Sequence, residues 1–398
     1  MHLAIVTPFP PTVTGIGQYG YHVSAALART GAFRRITVLS EMAPGAGVVQ
    51  AVNGLTVERV WRSNRPDAGC KIARRLRQLE PDLVWFNLGF SAFGCGPLAN
   101  ISGLLSPVAA KVFGLRQVVT LHELLEAADL RELNAPGGAL TGWVVRFFMA
   151  VLAGHADVLC VTLKQHARSL AAGWPHRHVV HIPIGAADAP EVLAEPEEPE
   201  LLFFASQAPF KGLELLLDAF AELQAEYPAL RLTVAGAEHP RFPGYMSRTR
   251  SAYRDNPAVR WLGYVPESGL RDVFARAAIV VLPYAVATGA SSVLYRAATW
   301  GRPVVVSDLP KLRATVEEVG LQALFFRGGD RSDLVATVRR LLSTPSLQAL
   351  QARHNLSVMQ RMTSAETCRA YLTAFDLALS AKPGYLRAPL MLHQSARR

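Results

Sequence analysis

Residues 275–310, ARAAIVVLPYAVATGASSVLYRAATWGRPVVVSDLP, hold a complete strand, turn, helix and second strand. Ile279 to Leu282 is a short run with no polar residue, as expected of a parallel strand covered on both faces. Tyr284 to Ser292 then brings Gly289, Ala290, Ser291 and Ser292, small residues that let the backbone approach a ligand where the helix through Ala298 begins. The first amides of a helix lack partners within it and its dipole is positive there, so such a turn suits a phosphate. Gly301 and Pro303 close the helix and launch the next strand, Val304 to Ser307.

The same βα alternation extends in both directions. Upstream, apolar strands are predicted at Leu3 to Val6, Ile36 to Leu39, Thr56 to Trp61, Leu83 to Phe86, Val118 to Leu121, Val158 to Val161 and Val179 to Ile182. Helical segments separate them, which is the pattern of a doubly wound parallel sheet. Ala189 to Glu200, APEVLAEPEEPE, is Pro-rich and acidic without an apolar period and is read as a linker. A second series follows: strands at Leu201 to Ala205, Leu232 to Ala235, Val259 to Leu262 and Ala323 to Arg327, and helices at Leu213 to Leu223, Gly269 to Ala277 and Ser332 to Leu342. The expectation is an α/β chain of two Rossmann-like domains, 1–188 and 201–362, facing across a cleft at the carboxyl ends of their strands, where open sheets of this kind bind ligands. Residues 381–398 are expected to be a poorly ordered tail.

Half of the 398 residues are hydrophobic and 18% are charged, which excludes a largely disordered chain. MHLAIVTPFPP reads as a first buried strand rather than a signal peptide, and no uncharged apolar run reaches the roughly 18 residues of a membrane span. Cys70, Cys95, Cys160 and Cys368 form no C-x-x-C pair and are expected to be small buried hydrophobes. A cytoplasmic protein, at most peripheral to the inner face of a membrane, is the expectation. The excess of 41 Lys+Arg over 31 Asp+Glu, a formal +10, favours phosphates, anionic lipid or nucleic acid as partners. Nucleic acid is set aside, because no basic stretch is interleaved with aromatics and no reading module is found. Lys71 to Arg77, KIARRLR, has apolar residues at helical spacing, so its basic face is either solvated or in contact with an anionic membrane. Trp143 to Ala153 is either a buried crossover helix or an interfacial one.

The chemistry is expected at the strand ends. Thr14-Gly15-Ile16-Gly17 opens the first helix, and Gly15 and Gly17 would let a substrate phosphate or sugar lie against backbone amides. His122, in VVTLHELLE, directly follows an apolar strand and is the catalytic candidate of the first half, with Glu123 as a possible orienting partner. Asn87, ending the preceding strand, and Glu126 are further acceptor-side candidates. Lys211-Gly212, between a strand and a helix, places an ammonium within reach of a bound diphosphate. His176, His178 and His181 flank one strand without a Cys or carboxylate nearby, a poor zinc set. Asp330 is read as a helix N-cap.

Taken together, these residues resemble the retaining nucleotide-sugar glycosyltransferases of family 4, which have the two-domain GT-B fold. Pro283, Gly289, Gly301, Pro303, Val304, Val305 and Ser307 match the family's donor segment, Lys211-Gly212 its Lys-Gly, Gly263-Tyr264-Val265-Pro266 its Gly-Tyr-Val-Pro loop, and His122 a Thr-x-His-Glu context. Thr288 and Arg296 stand where the family has two glutamates, Ser206 and Ala208 lie where an Arg is common, and Thr14 replaces a glycine. The resemblance implies donor binding by Gly263, Tyr264, Thr288, Gly289, Ser291, Ser292 and Arg296, and a C-terminal helix within 363–380 crossing back to the first domain. Arg296 is the candidate for the absent cation, or else faces solvent. Tyr264 packs near the nucleobase, or else is a buried aromatic. The implied reaction moves a sugar from a nucleoside-diphosphate sugar to a saccharide or lipid-linked acceptor, without cofactor or metal, and no Asp-x-Asp clamp for a divalent ion follows a strand. With both glutamates replaced, two other readings stay open: a GT-B-fold binding or partner subunit that transfers nothing, and a nucleotide-sugar epimerase or hydrolase.

Overall fold

The computed structural model describes residues 1–124, 147–149, 151–152, 154–186, 189–196, 198–253 and 256–381. The chain divides into two compact units. The first takes Met1–Val161 and His166–Ile182 and regains the chain from Arg369, and the second takes Thr162–Gln165 and Pro183–Cys368.

In the first unit the elements run β1 (His2–Val6), α1 (Gly15–Thr30), β2 (Arg35–Glu41), β3 (Val49–Val52), β4 (Leu55–Trp61), α2 (Ala68–Leu79), β5 (Leu83–Leu88), α3 (Pro97–Leu104), α4 (Ser106–Val112), β6 (Gln117–Leu121), β7 (Val158–Val161), α5 (Lys164–Gly173) and β8 (His178–His181). They build an eight-stranded sheet in the order β3-β4-β2-β1-β5-β6-β7-β8. All neighbours are parallel except β3 and β4, an edge hairpin joined at Asn53-Gly54. β1, β5 and β6 are buried at every position, which explains their unbroken apolar reading.

The second unit runs β9 (Glu200–Phe204), α6 (Leu213–Glu226), β10 (Arg231–Ala235), α7 (Tyr245–Ala252), β11 (Val259–Gly263), α8 (Glu267–Ala275), β12 (Ile279–Leu282), α9 (Ser292–Thr299), β13 (Val304–Ser307), α10 (Pro310–Val319), β14 (Leu324–Phe326), α11 (Arg331–Leu342) and α12 (Pro345–Met359). Its six strands are ordered β11-β10-β9-β12-β13-β14 and all pair parallel. Strand order reverses between β1 and β5 in one sheet and between β9 and β12 in the other, and the carboxyl ends at such a reversal form a crevice.

The last helix, α13 (Ser364–Ser380), carries Tyr371, Ala374, Phe375 and Ala378 on one face, all essentially buried. Tyr371 and Phe375 pack their rings 4.6 and 6.2 Å from Trp85 of β5. Their spacing of i, i+3, i+4 and i+7 is that of a helix docking one apolar stripe, and each large side chain contributes roughly 1.5–3 kcal/mol.

The segment read as a linker packs on the second unit: Leu193 is buried in its core, Glu191 N donates to Thr299 O at 3.0 Å, Arg302 Nη2 donates to Ala194 O at 2.7 Å, and the two compact units divide at 182/183. One expectation changes. Cys70 and Cys95 are exposed, whereas Cys160 and Cys368 are buried. Lys71 to Arg77 lies on α2 as predicted, with Ile72 and Leu76 inward, and Asp330 does cap α11. Most of Trp143 to Ala153 and the tail from residue 382 lie outside the described residues.

Candidate active site

In the second unit, the reversal point is built around Lys211. A single 3₁₀ turn, Pro209–Lys211, follows β9, and Gly212 then turns with φ +70° into α6. A Cβ there would lie 1.9 Å from the carbonyl oxygen of Pro283 at the end of β12, so only glycine fits both the backbone angle and the space. Phe210 O accepts from Ala285 N at 3.0 Å and from Val286 N, which ties this loop to the one after β12. Lys211 Nζ sits 3.9 Å from the centre of the Tyr284 ring and 5.5 Å from that of Phe210. This aromatic seat orients the ammonium. Tyr284 is buried, and its phenol is raised in pKa by that burial, against the smaller effect of its hydrogen bond with Ser291.

Two further groups join this corner. Gln207, fully buried, donates through Nε2 to Ala235 O at 2.9 Å, while His239 packs beside Phe210 and Phe242. Burial, then the nearby Arg241 and Lys211 charges, pushes His239 down to about 4, so it is neutral near pH 7.

Thr288, Gly289 and Ser291 lead into α9, with Ser291 at its N-cap and Ser292 as its first residue. No acidic residue occupies the first turn and no side chain caps it, which leaves the leading amides available to an anion. Gly263 ends β11 with φ +64° and accepts from Gly236 N at 2.7 Å. The next residue, Tyr264, is 49% exposed and so is not a buried loop-closing aromatic. Arg296 neither faces solvent nor points alone toward a ligand. Its Nη2 meets both carboxylate oxygens of Glu267, at 2.8 and 3.0 Å, and its side chain is 13% exposed. The pair ties α9 to the first turn of α8, just beyond the Tyr264 loop.

In the first unit, Asn87 draws the predicted residues together. Its Nδ2 donates to Thr7 Oγ1 at 2.9 Å and to Ile16 O at 3.0 Å, within the Thr14–Gly17 turn, and its Oδ1 faces His122 Nε2 at 2.6 Å. Thr7 Oγ1 donates onward to Pro8 O, so it must accept from Asn87. That sets the amide's orientation. Oδ1 can only accept, hence His122 carries its hydrogen on Nε2 and keeps a lone pair on Nδ1. Asn87 orients the ring. Tyr19 stands edge-on to His122 at 4.8 Å, and its hydroxyl bonds that of Tyr371 at 2.9 Å. Glu126 lies outside the described residues.

Thr14 accepts from Gly17 N at 2.9 Å as the N-cap of α1. A side chain at Gly17 would press on Thr14 Oγ1 and Pro8 O, whereas one at Gly15 would meet nothing within 4 Å. Sequence reading passed over three contributors. Gly20, one helical turn beyond Gly17, admits Thr7 and Asn87, which would lie 2.6 and 3.0 Å from any Cβ there. Its i+3 spacing from Gly17 was a usable signal. Buried Arg59 donates to Phe9 O at 3.2 Å and also to Pro10 O, pinning the loop before the glycine turn, and Glu267 pairs with Arg296; neither has a local signature.

Burial alone lowers the His122 pKa from 6.5 to about 4. The neutral ring is therefore the folded form, and any contribution it makes to activity should show no step near pH 6.5. Stability behaves differently. Below pH 6.5 the unfolded chain binds a proton that the folded one refuses until about pH 4, so stability falls across that window and is flat above it. Tm measured from pH 8 to 4.5 in wild type and His122→Gln tests this, the variant losing less between pH 6.5 and 4.5.

Two doubly wound α/β units, one with a cation and open helix amides at its strand reversal, define the GT-B class. Sucrose-phosphate synthase of Thermosynechococcus elongatus has this fold, with a TM-score of 0.73 at 15% identity over 96% of this chain and 100% of that one. HepE of Anabaena, solved with UDP-glucose, gives 0.69 at 14% over 94% and 99%, and the UDP-forming α,α-trehalose-phosphate synthase of Burkholderia xenovorans gives 0.67 at 13% over 96% and 99%. Residues 14–185 match the glycosyl transferase 4-like domain and residues 198–344 the glycosyl transferases group 1 family. The chain is a glycosyltransferase. No curated protein matches its sequence.

Proposed function

We propose that this glycosyltransferase takes its sugar from a nucleoside-diphosphate sugar, retains the anomeric configuration, needs no divalent metal, and uses a saccharide or lipid-linked acceptor in cell-surface polysaccharide or glycolipid synthesis at the inner face of the membrane. The observation that carries the reading is the seating of Lys211 over Tyr284, at the strand reversal beside the amides that open α9. A diphosphate there meets one ammonium and a positive helix end, which together can stabilise the charge that develops as it leaves. Among the described residues no three His, Cys, Asp or Glu side chains come together as a metal site. In the proposed step the bond from C1 to the diphosphate oxygen breaks and the acceptor oxygen bonds C1 on the same face. The departing phosphate oxygen takes the acceptor's proton. His122 Nδ1 accepts a hydrogen bond from a hydroxyl of the transferred sugar, and as a neutral base it does so without repelling positive charge at C1.

HepE was solved with UDP-glucose, and the Burkholderia enzyme forms UDP, so UDP-sugars head the screen. A thermal-shift panel of UDP, GDP, ADP and TDP sugars should contain one ligand that raises Tm, since a ligand present at 100 Kd stabilises the folded form by about 2.7 kcal/mol. The shift and the transfer rate should survive EDTA. A panel in which no nucleotide sugar moves Tm sinks the donor assignment.

A further inference from the structure

One flank of the first unit exposes a continuous apolar stripe. Leu98, Leu105, Val112 and Phe113 are 67, 37, 65 and 39% accessible. The first three are seven residues apart, two helical turns each, and α3 runs into α4 through Leu105, whose N–H donates to Ile101 O and whose carbonyl accepts from Ala109 N. They therefore share one face. α2 lies directly alongside. Gly69 N donates to Ser102 Oγ at 3.1 Å, a Cβ on Gly69 would lie 2.1 Å from Ser102 O, and the Arg77 guanidinium is 5.8 Å from the centre of the Phe113 ring. Asn64 Oδ1 accepts from Cys95 N at 2.6 Å and Gly96 N at 3.1 Å, which holds the Arg62–Arg65 loop against the start of α3, beside Leu98.

This places exposed Arg62 and Arg65 at the Leu98 end of the stripe and exposed Arg77 at the Phe113 end, with exposed Arg74 one turn before Arg77 on α2. Among the described residues none of them has a carboxylate within ion-pair distance. The acids of this flank are occupied elsewhere or at its end: Asp67 pairs with Lys71, Glu58 with Arg75, Asp82 binds His2 N, and Glu80 sits at the C-cap of α2. An apolar strip several side chains long, rimmed by guanidinium groups of which only Arg65 acts on a nearby carboxylate, that of Asp67, on a chain of net charge +10, is complementary to an anionic lipid surface. The leucines and Phe113 enter the acyl boundary while the arginines meet the phosphates. A second copy of the same face would bring like-charged rims together, which disfavours self-pairing. The β4–α2 and β5–α3 loops leave the same sheet edge as His122, so the stripe begins where the acceptor-side residues lie.

We propose that the α2–α3–α4 flank is a docking face for an anionic bilayer, presenting the first unit to a lipid-linked acceptor. This deepens the acceptor reading above and rests on it. The test is co-sedimentation with vesicles of phosphatidylcholine alone or mixed equally with phosphatidylglycerol. The protein should bind the anionic vesicles, more weakly at higher salt, and scarcely bind the neutral ones. Arg74→Gln with Arg77→Gln should weaken binding about 25-fold, about fivefold for each charge near the surface. Leu98→Ser with Val112→Ser, both at exposed positions, should also weaken it. Absence of binding to anionic vesicles at low salt, or wild-type binding by both double variants, overturns the proposal. So does a dimer that the serine variant turns monomeric with vesicle binding unchanged. The UDP-sugar thermal shift should be the same in all these proteins, so its loss in wild type counts against the donor reading and not against the docking face.

Discussion

Lys211→Ala should slow transfer by about 10²–10³-fold, the usual cost of removing one group that stabilises charge developing in the transition state. The fold should survive. The structural loss includes the contacts of Nζ with the Tyr284 and Phe210 rings, each worth about 0.5–2 kcal/mol, a shift of a few degrees in Tm for a unit of this size. Gly212, which joins the β9 and β12 loops, is untouched. Nucleotide affinity should fall together with the rate, since the ammonium meets the diphosphate in both ground and transition states. Equal affinity for the donor nucleotide in wild type and Lys211→Ala, measured by calorimetry, would remove the phosphate role from this residue.

Asn87 should respond differently to two substitutions. Asn87→Leu strands the His122 Nε2–H, the Ile16 carbonyl and one acceptor site on Thr7 in a buried place, and each unsatisfied group costs about 1–3 kcal/mol. Denaturant unfolding should show a loss of several kcal/mol. Asn87→Asp keeps the size and still accepts from Nε2, but puts a negative charge 2.6 Å from the ring, where an opposite charge raises a pKa by about 1–3 units. From about 4, His122 would then titrate between roughly pH 5 and 7. A step in kcat/KM should appear in that window, with activity falling as pH decreases, because the protonated ring has no lone pair left for a sugar hydroxyl. An Asn87→Asp profile as flat as that of wild type would show that the contact does not control the ring.

Much of the architecture could be read from short-range pattern. Ile279 to Leu282, Val304 to Ser307 and Val158 to Val161 are strands at the predicted residues, because so short an uncharged, mostly apolar run between polar or breaking residues has few other solutions inside a domain. Val49 to Val52 carries no such signal, since VQAV is only four residues long, interrupted by Gln50 and half exposed on a sheet edge. Composition likewise hides the docking of residues 189–194, whose acid and proline look solvated while Leu193 and two backbone groups pack within the second unit.

The amino-acid sequence by itself determined the alternation of strands and helices, the two doubly wound halves, and the placing of His122, Lys211 and the small-residue turns at strand ends, because each depends on periodicity and on neighbours a few residues away. Tertiary structure alone decided which groups meet: Asn87 with His122 across 35 residues and Arg296 with Glu267 across 29. It also decided that Tyr284 carries Lys211 and that Arg77 of α2 borders the apolar stripe at Phe113. Hydrogen bonds and ion pairs have no period along the chain. Their partners are chosen by the strand order and by the space each glycine leaves, and both exist only once the sheets have formed.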